Sequence, residues 1–374
     1  MNKKIIIILD NISSHWWIQK IWVRQAELLS KNWYNVDLLI MNKVVHELKY
    51  KSGKIHYLDS LNIGKSDIFT KIYVYFYRAY LIKKIIKKYW YHIAIWHWWD
   101  SWIPTLISRL FIHEAILLYW QHSSTEKMNI FWKILYLFFF PLANYIISVS
   151  KEDLYYLKNI FFWIKKKFHY INNFYDNSLL SNWVHKNLSL NWKITFLHIW
   201  ALEVYKNQEL MLQSFIEVSN IYKNCQLIII WTWSLEKFFL KNYQNNNIHF
   251  IWYKENPEYY IEKADCILMS SIYEWMPLVL INSLCLWKPI ISSIFKTWIK
   301  ELLFHKLIDL DFKNNELWFY ISKNGIITNN NITNFRDAII YFLENKNTFN
   351  VDMNFYKKEY SEIKHVKKII SLIN

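Results

Sequence analysis

Short apolar runs alternate with stretches of helical period along most of the chain. In the first half Ile5–Leu9, Val36–Met41, Ala115–Tyr119 and Tyr145–Val149 predict strands. Ile18–Ser30 predicts a helix, with Ile18, Ile21, Leu28 and Leu29 on one side. In the second half Ile194–Ile199, Gln226–Ile230, Ile248–Ile251, Cys266–Met269 and Pro289–Ser292 predict strands, with helical stretches at about 206–222, 234–242, 256–263 and 277–286 between them. This alternation implies an α/β chain of parallel sheets covered by helices. The polar stretch Asn172–Asn191 lacks strong periodicity and reads as a linker. The expected division is an N-terminal domain at 1–175, a second at 176–350, and a basic amphipathic helix within 351–374 that packs back on the first. No internal repeat is visible.

Charge is uneven. The chain has 374 residues and a net charge of +15, most of it before residue 180. The densest basic stretch, residues 71–91, carries Lys71, Arg78, Lys83, Lys84, Lys87 and Lys88 and no acid. A helix there suits an anionic membrane surface, and equally a solvated face over a core. No nucleic-acid motif accompanies the charge, so nucleic acid is not an expected partner. The apolar start Ile5–Leu9 stops at Asp10, too short for a signal peptide. Ile134–Val149 is broken by Pro141 and Asn144 and falls short of a membrane span. Cys225, Cys266 and Cys285 are odd in number and unpaired in spacing, which fits reduced thiols and a cytoplasmic chain.

Glycine changes the picture most. There are 3 Gly and 22 Trp, whereas an ordinary chain of this length holds roughly 26 Gly. The two counts together nearly restore that number. The tryptophans also stand where glycine belongs. Trp16-Trp17 and Trp98-Trp99 are doublets in polar stretches, Trp33 follows an amphipathic run, and Trp231 and Trp233 flank Thr232 directly after an apolar run. A bulky side chain at positive φ costs about 1–2 kcal/mol, so an indole is a poor choice at a helix stop or a tight turn. Most of these positions read as glycine, encoded by UGA and translated with a table that assigns UGA to Trp. The rival reading is a Trp-rich protein that binds glycans or membranes through aromatic platforms.

Ligands of open α/β sheets bind at the carboxyl ends of strands, which directs attention to four loops. Ser13–Ile18, with Trp16 and Trp17 as glycine, becomes a turn that offers backbone N–H groups to an anion. His198–Gln208 contains Trp200 and brings Lys206 to the expected start of the next helix. A cation there opposes the helix dipole unless an anion sits beside it; a solvated Lys is the plain alternative. Ile230–Ser234 becomes a short phosphate-cradle pattern around Thr232. Ser270–Asn282 places Glu274 just before Pro277 and a helix start. A carboxylate there can accept hydrogen bonds from ligand hydroxyls, or simply cap the helix.

Read with glycine at these Trp positions, the second half strongly resembles the nucleotide-sugar domain of family-4 retaining glycosyltransferases of the GT-B fold. The stretches His198–Gln208, Leu227–Ser234, His249–Tyr253, Ala264–Ser293 and Lys296–Leu303 match in order and spacing, with family glycines at Trp200, Trp231, Trp233, Trp252, Trp275, Trp287 and Trp298. The first half is similar at the Trp16-Trp17 loop, Asn32–Val36, Ile146–Ser150 and Tyr170–Asp176. The resemblance implies two Rossmann-like domains whose parallel sheets face each other across a cleft. It also implies transfer of a sugar from a UDP-sugar, with retention and without metal or other cofactor, to a lipid-linked or cell-surface glycan acceptor. Glu274 would hold donor hydroxyls, and Lys206 with the backbone at Trp275, Met276, Pro277, Leu278 and Val279 would take the diphosphate. Trp16, Trp17, Trp200, Trp231, Thr232, Trp233 and Tyr253 would line the donor site, and His122 would face it from the first domain, unless it is a plain loop histidine. Two positions depart from the family. Its second Glu, which grips ribose, is Asn282 here, and the basic partner of the Lys is missing near Ala201 and Glu203. The run Ser292–Glu301 is similar to members that use UDP-N-acetylhexosamines. A GT-B sugar-nucleotide epimerase and a non-catalytic glycan- or membrane-binding protein are the alternatives.

Overall fold

The computed structural model describes residues 3–13, 17–58, 68–97, 102–110, 114–122, 130–180, 193–201, 204–232, 236–252, 254, 257–274, 276–295, 298–306, 310–312 and 317–374. The chain divides into two compact units, residues 1–174 with 362–374, and residues 175–361.

The first unit is built on a seven-stranded sheet. Its strands are β1 (Lys4–Leu9), β2 (Asn35–Ile40), β3 (Ile55–Tyr57), β4 (Ile93–His97), β5 (Ile116–Gln121), β6 (Tyr145–Ser148) and β7 (Phe168–Tyr170). All pair in parallel in the order β3-β2-β1-β4-β5-β6-β7. β1 is apolar on both faces, and Ile5–Leu9 are fully buried, as a central parallel strand requires. Three of these strands escape the sequence pattern. β3 and β7 are three residues each, and β4 carries His97 within a five-residue run.

The second unit has its own seven-stranded sheet, formed by β8 (Ile194–Ala201), β9 (Cys225–Thr232), β10 (Ile248–Trp252), β11 (Cys266–Met269), β12 (Ile290–Ser293), β13 (Phe319–Ser322) and β14 (Gly325–Thr328). The order is β10-β9-β8-β11-β12-β14-β13, parallel except for the β13–β14 hairpin. Helices Gln208–Ile221, Glu236–Asn242, Pro257–Lys263 and Leu278–Cys285 lie where the periodicity puts them, within a few residues. Gly325 has φ +148° beside β12, where an added Cβ would run into the Ile290 carbonyl, so only glycine fits.

The last helical stretch is two helices instead of one. Met353–Glu359 belongs to the second unit, capped by Asp352, while Glu362–Ile373 belongs to the first. Tyr356 anchors the earlier helix on the second core, its hydroxyl donating to the Leu302 carbonyl. The later helix is tied to the first unit through Arg24, whose Nε donates to Glu362 Oε1 at 2.7 Å. Among the described residues no helix is long and apolar enough to cross a membrane.

Five tryptophans stand in the left-handed half of φ space: Trp33 (70°), Trp90 (57°), Trp287 (62°), Trp298 (75°) and Trp318 (58°). Among the described residues only Asn207 and His305 are other non-glycine residues at positive φ. Three of the five close helices with one repeated hydrogen-bond pattern. Trp33 N–H donates to Ser30 O and Tyr34 N–H to Leu29 O; Trp90 and Tyr91 do the same to Lys87 and Ile86, and Trp287 and Lys288 to Leu284 and Ser283. This is the Schellman stop, in which the left-handed position is normally glycine.

Candidate functional site

In the second unit the strand order reverses between β8 and β11. The loops that leave these two strands are therefore the place where an open α/β sheet receives a ligand. They are stitched together: Ile272 N–H donates to Tyr205 O at 3.0 Å, and Ser270 Oγ donates to Lys206 O at 3.0 Å. Lys206 and Glu274 meet at that seam. Lys206 Nζ lies 2.8 Å from Glu274 Oε1, which also accepts from Ser271 Oγ at 2.6 Å. Both side chains are buried, and the ammonium sits 4.6 Å from the centre of the Tyr205 ring. Ser293 Oγ, at the end of β12, holds the Ser271 carbonyl at 2.8 Å.

This corrects the expected setting of Lys206. It does not open a helix; it ends the 3-10 turn Val204–Lys206, and the helix starts at Gln208 after left-handed Asn207. Its charge is answered by a carboxylate, which removes the conflict with the helix dipole. Glu274 likewise is no capping residue, because Pro277 occupies the N-cap position of helix Leu278–Cys285 without a side-chain cap. Met276, Leu278 and Val279 are buried around that helix start. Asn282, one turn further on, is buried with Nδ2 3.5 Å from Glu258 Oε1. Glu258, on helix Pro257–Lys263, thus brings a buried carboxylate to the position where the family's second Glu is missing. Trp200, Trp231 and Thr232 lie on β8 and β9, described by backbone alone, as is Trp17 at the start of the first helix. Trp16, Trp233, Tyr253 and Trp275 lie outside the described residues.

His198, on β8, was not anticipated. Its Nδ1–H donates to the Leu268 carbonyl of β11 at 3.0 Å, which leaves Nε2 as a bare, buried acceptor without a partner among the described residues. Burial lowers its pKa to about 4.

In the first unit the order reverses between β1 and β4. At that edge His122, directly after β5, is buried against His97 at the end of β4, their Nε2 and Nδ1 3.0 Å apart. It is therefore not a plain loop histidine. Gln25 and His365 continue the contact, at 3.3 Å from His97 Nε2 to Gln25 Nε2 and 3.2 Å from Gln25 Oε1 to His365 Nε2. Burial pushes His122 down to about 3 and His365 to about 4, and puts His97 well below the ordinary value. All three rings are neutral near pH 7. The signal for this cluster in the sequence is weak, since its members come from four separated segments.

Comparison with known proteins agrees with this geometry. Residues 182–361 match the family Glycosyl transferases group 1. An uncharacterized glycosyltransferase of Methanocaldococcus jannaschii is 26% identical over 273 residues, 67% of this chain and 66% of the relative, so the match spans just under two thirds of that protein. Sucrose-phosphate synthase from Thermosynechococcus elongatus superposes with a TM-score of 0.76 at 13% identity, covering 99% of this chain and 98% of its own. HepE of Anabaena, solved with UDP and glucose, gives a TM-score of 0.73 at 11% identity, covering 99% of each chain. The fold is that of the GT-B glycosyltransferases, and the match to the group 1 family falls on the second unit.

Proposed function

We propose that the protein is a retaining glycosyltransferase of family 4 that moves a sugar from a UDP-sugar, with an N-acetylhexosamine as the leading candidate, to a lipid-linked or cell-surface glycan acceptor. The observation that carries this reading is the buried Lys206–Glu274 pair at the strand-order reversal of the group 1 domain. Loss of a nucleoside diphosphate demands a positive charge held ready in a site shielded from water. Lys206 supplies it without a metal, and Glu274 both steers the ammonium and offers oxygen acceptors to sugar hydroxyls. The UDP part of the proposal is supported by HepE, which binds UDP on a similar fold.

Two further parts belong to the same reading. Glycine, specified by UGA, stands at most of the positions written as Trp; the Schellman stops at Trp33, Trp90 and Trp287 support it. The enzyme works from the cytoplasmic side, resting on an anionic membrane. Helix Ile68–Tyr89 buries Val74, Arg78, Ala79, Ile82 and Ile86 and turns Phe69, Ile72, Tyr73, Phe76 and Tyr80 outward, followed by exposed Lys84, Lys87 and Lys88. Arg78 thus belongs to the interior, where it bonds Asn42. Helix Ile130–Phe139 exposes Ile130, Ile134 and Phe138, and helix Trp102–Arg109 packs against both. A patch of aromatic and aliphatic side chains beside lysines has the chemistry of an interfacial surface.

Incubation with radiolabelled UDP-sugars and extracted membrane glycolipids tests the assignment. Transfer should depend on the acceptor and vanish in Glu274→Ala. Sugar inversion without an acceptor would instead support an epimerase, and undiminished turnover in Glu274→Ala would remove the proposal.

A further inference from the structure

Strands β8 and β11 are neighbours for only part of their length. β8 pairs with β9 throughout, from Ile194 opposite Cys225 to Ala201 opposite Thr232, but with β11 only at Phe196 opposite Cys266 and Leu197 opposite Ile267. β11 meanwhile stays with β12, Leu268 opposite Ile291 and Met269 opposite Ser292. Each strand thus follows its outer neighbour, and a fork opens between them at His198 and Leu268. A side chain closes the root of that fork, because His198 Nδ1 lies 3.0 Å from the Leu268 carbonyl. Burial, with a smaller push from the Lys206 charge, keeps the ring neutral near pH 7. A carbonyl only accepts, so the one hydrogen of this ring sits on Nδ1.

The imidazole is an expensive choice at that place. Phe196, two residues earlier and on the same face of β8, belongs to an apolar cluster with Phe215 and Leu268. His198 Nε2 has no hydrogen-bond partner among the described residues, and a buried acceptor left unsatisfied is unfavourable. An aliphatic side chain would fill the position without that loss, so the ring is accounted for by what Nδ1 does. Beyond the fork the two loops are tied at their tips, Ser270 Oγ to Lys206 O and Ile272 N–H to Tyr205 O, each at 3.0 Å. Lys206 and Glu274 meet between these ties and the root. We infer that His198 is a positioning residue for the Lys206–Glu274 site: its Nδ1–H clasps the Leu268 carbonyl where β8 and β11 separate, and so sets the distance between the loops that carry the two charges.

The full chain labelled with 15N-histidine tests the clasp, because long-range 1H–15N spectra separate protonated from bare ring nitrogens. Near pH 7 His198 should be a single Nδ1–H species; an Nε2–H form, or a mixture, overturns the inference. The coupling between Lys206→Met and Glu274→Leu, taken from a double-mutant cycle of urea unfolding, reports the ion pair without any need for activity. His198→Leu fills the space but cannot donate, and should cut that coupling to about half or less. His198→Asn sets its amide nitrogen near the place of Nδ1 and should restore the coupling. Should the leucine variant not fold, His198→Gln, whose nitrogen stands near the place of Nε2, serves instead. Undiminished coupling in a folded chain without the donor, or lost coupling in a folded His198→Asn chain, overturns the inference. The consequence for the donor rests on the glycosyltransferase reading above: His198→Leu should weaken UDP binding about tenfold, and His198→Asn should not. A parent chain that binds no UDP removes that reading, while the spectrum and the coupling decide the clasp independently of it.

Discussion

Lys206 and Glu274, 68 residues apart in sequence, share a 2.8 Å contact at the seam between two loops and are both withdrawn from solvent. Such a pair is weak evidence for stability while intact, but removing one partner leaves a buried charge without an answer and costs about 3–5 kcal/mol. Lys206→Met is accordingly expected to lower the unfolding free energy by about that amount in urea titrations. Lys206→Met combined with Glu274→Leu should recover most of the loss and remain inactive.

Asn282 and Glu258 give a prediction with a pH sign. Asn282→Glu sets two buried carboxyls within reach of each other, which raises the folded-state pKa of one above the usual value of about 4.3. Folding then takes up a proton, so the variant should lose stability relative to the parent as pH rises from about 4.3 toward neutrality. Adding Glu258→Gln should abolish that pH dependence. In the enzyme reading the double variant should also bind UDP more tightly than the parent, as measured by calorimetry.

The histidine cluster sets the acid limit of the first unit. His97, His122 and His365 all have folded pKa values below that of an unfolded chain, about 6.5. Their contribution is complete above pH 6.5 and is lost as pH falls toward about 3–4. Each costs about 1.4 kcal/mol per pH unit within that window. Acid titration followed by near-ultraviolet circular dichroism should show this slope, and His365→Gln should reduce it by about one proton.

Replacing Trp by Gly at 33, 90 and 287 should be stabilising, against the usual cost of glycine. Each change relieves about 1–2 kcal/mol of left-handed strain, so the triple variant should unfold at higher urea. A lower midpoint would show that the indoles are favoured at those stops, and the UGA proposal would lose its physical support.

The proposed membrane surface should act as a unit. Changing Phe69, Tyr73, Phe76 and Tyr80 to Ser should abolish sedimentation with phosphatidylglycerol vesicles. Changing Lys84, Lys87 and Lys88 to Gln should weaken it more at low salt than at high salt, because surface charges are screened. Equal binding by the parent and both variants would end the membrane reading.

The sequence was most informative where one short run could bury itself on both faces. Strands β8 to β12 and the helices between them follow from short, mostly apolar segments bounded by turns, and Cys266–Met269 lies within its predicted limits. Strand β4 was hidden because its short apolar run follows closely on helix Ile68–Tyr89, whose own apolar residues run into it. The hairpin of β13 and β14 was hidden for a different reason: only Lys323 and Asn324 separate its two strands, so neither stands apart as a run set between helical stretches. Glu274 and Lys206 could each be singled out in the sequence, yet their pairing could not, because only the reversal of strand order brings residue 206 beside residue 274. The histidine chain was invisible for the same reason.

The first unit is assembled from both ends of the chain. Lys3 Nζ donates to the Ile373 carbonyl at 2.6 Å, Tyr34 to Asn374 at 2.9 Å, and Arg24 grips Glu362. On the ribosome, residues 175–361 contain every strand of their own sheet and can close as soon as they emerge. The portion made earliest also holds all seven strands of its sheet, but it lacks His365 and the Glu362 clamp until residues 362–374 are synthesised. The order of completion is therefore the reverse of the order of synthesis.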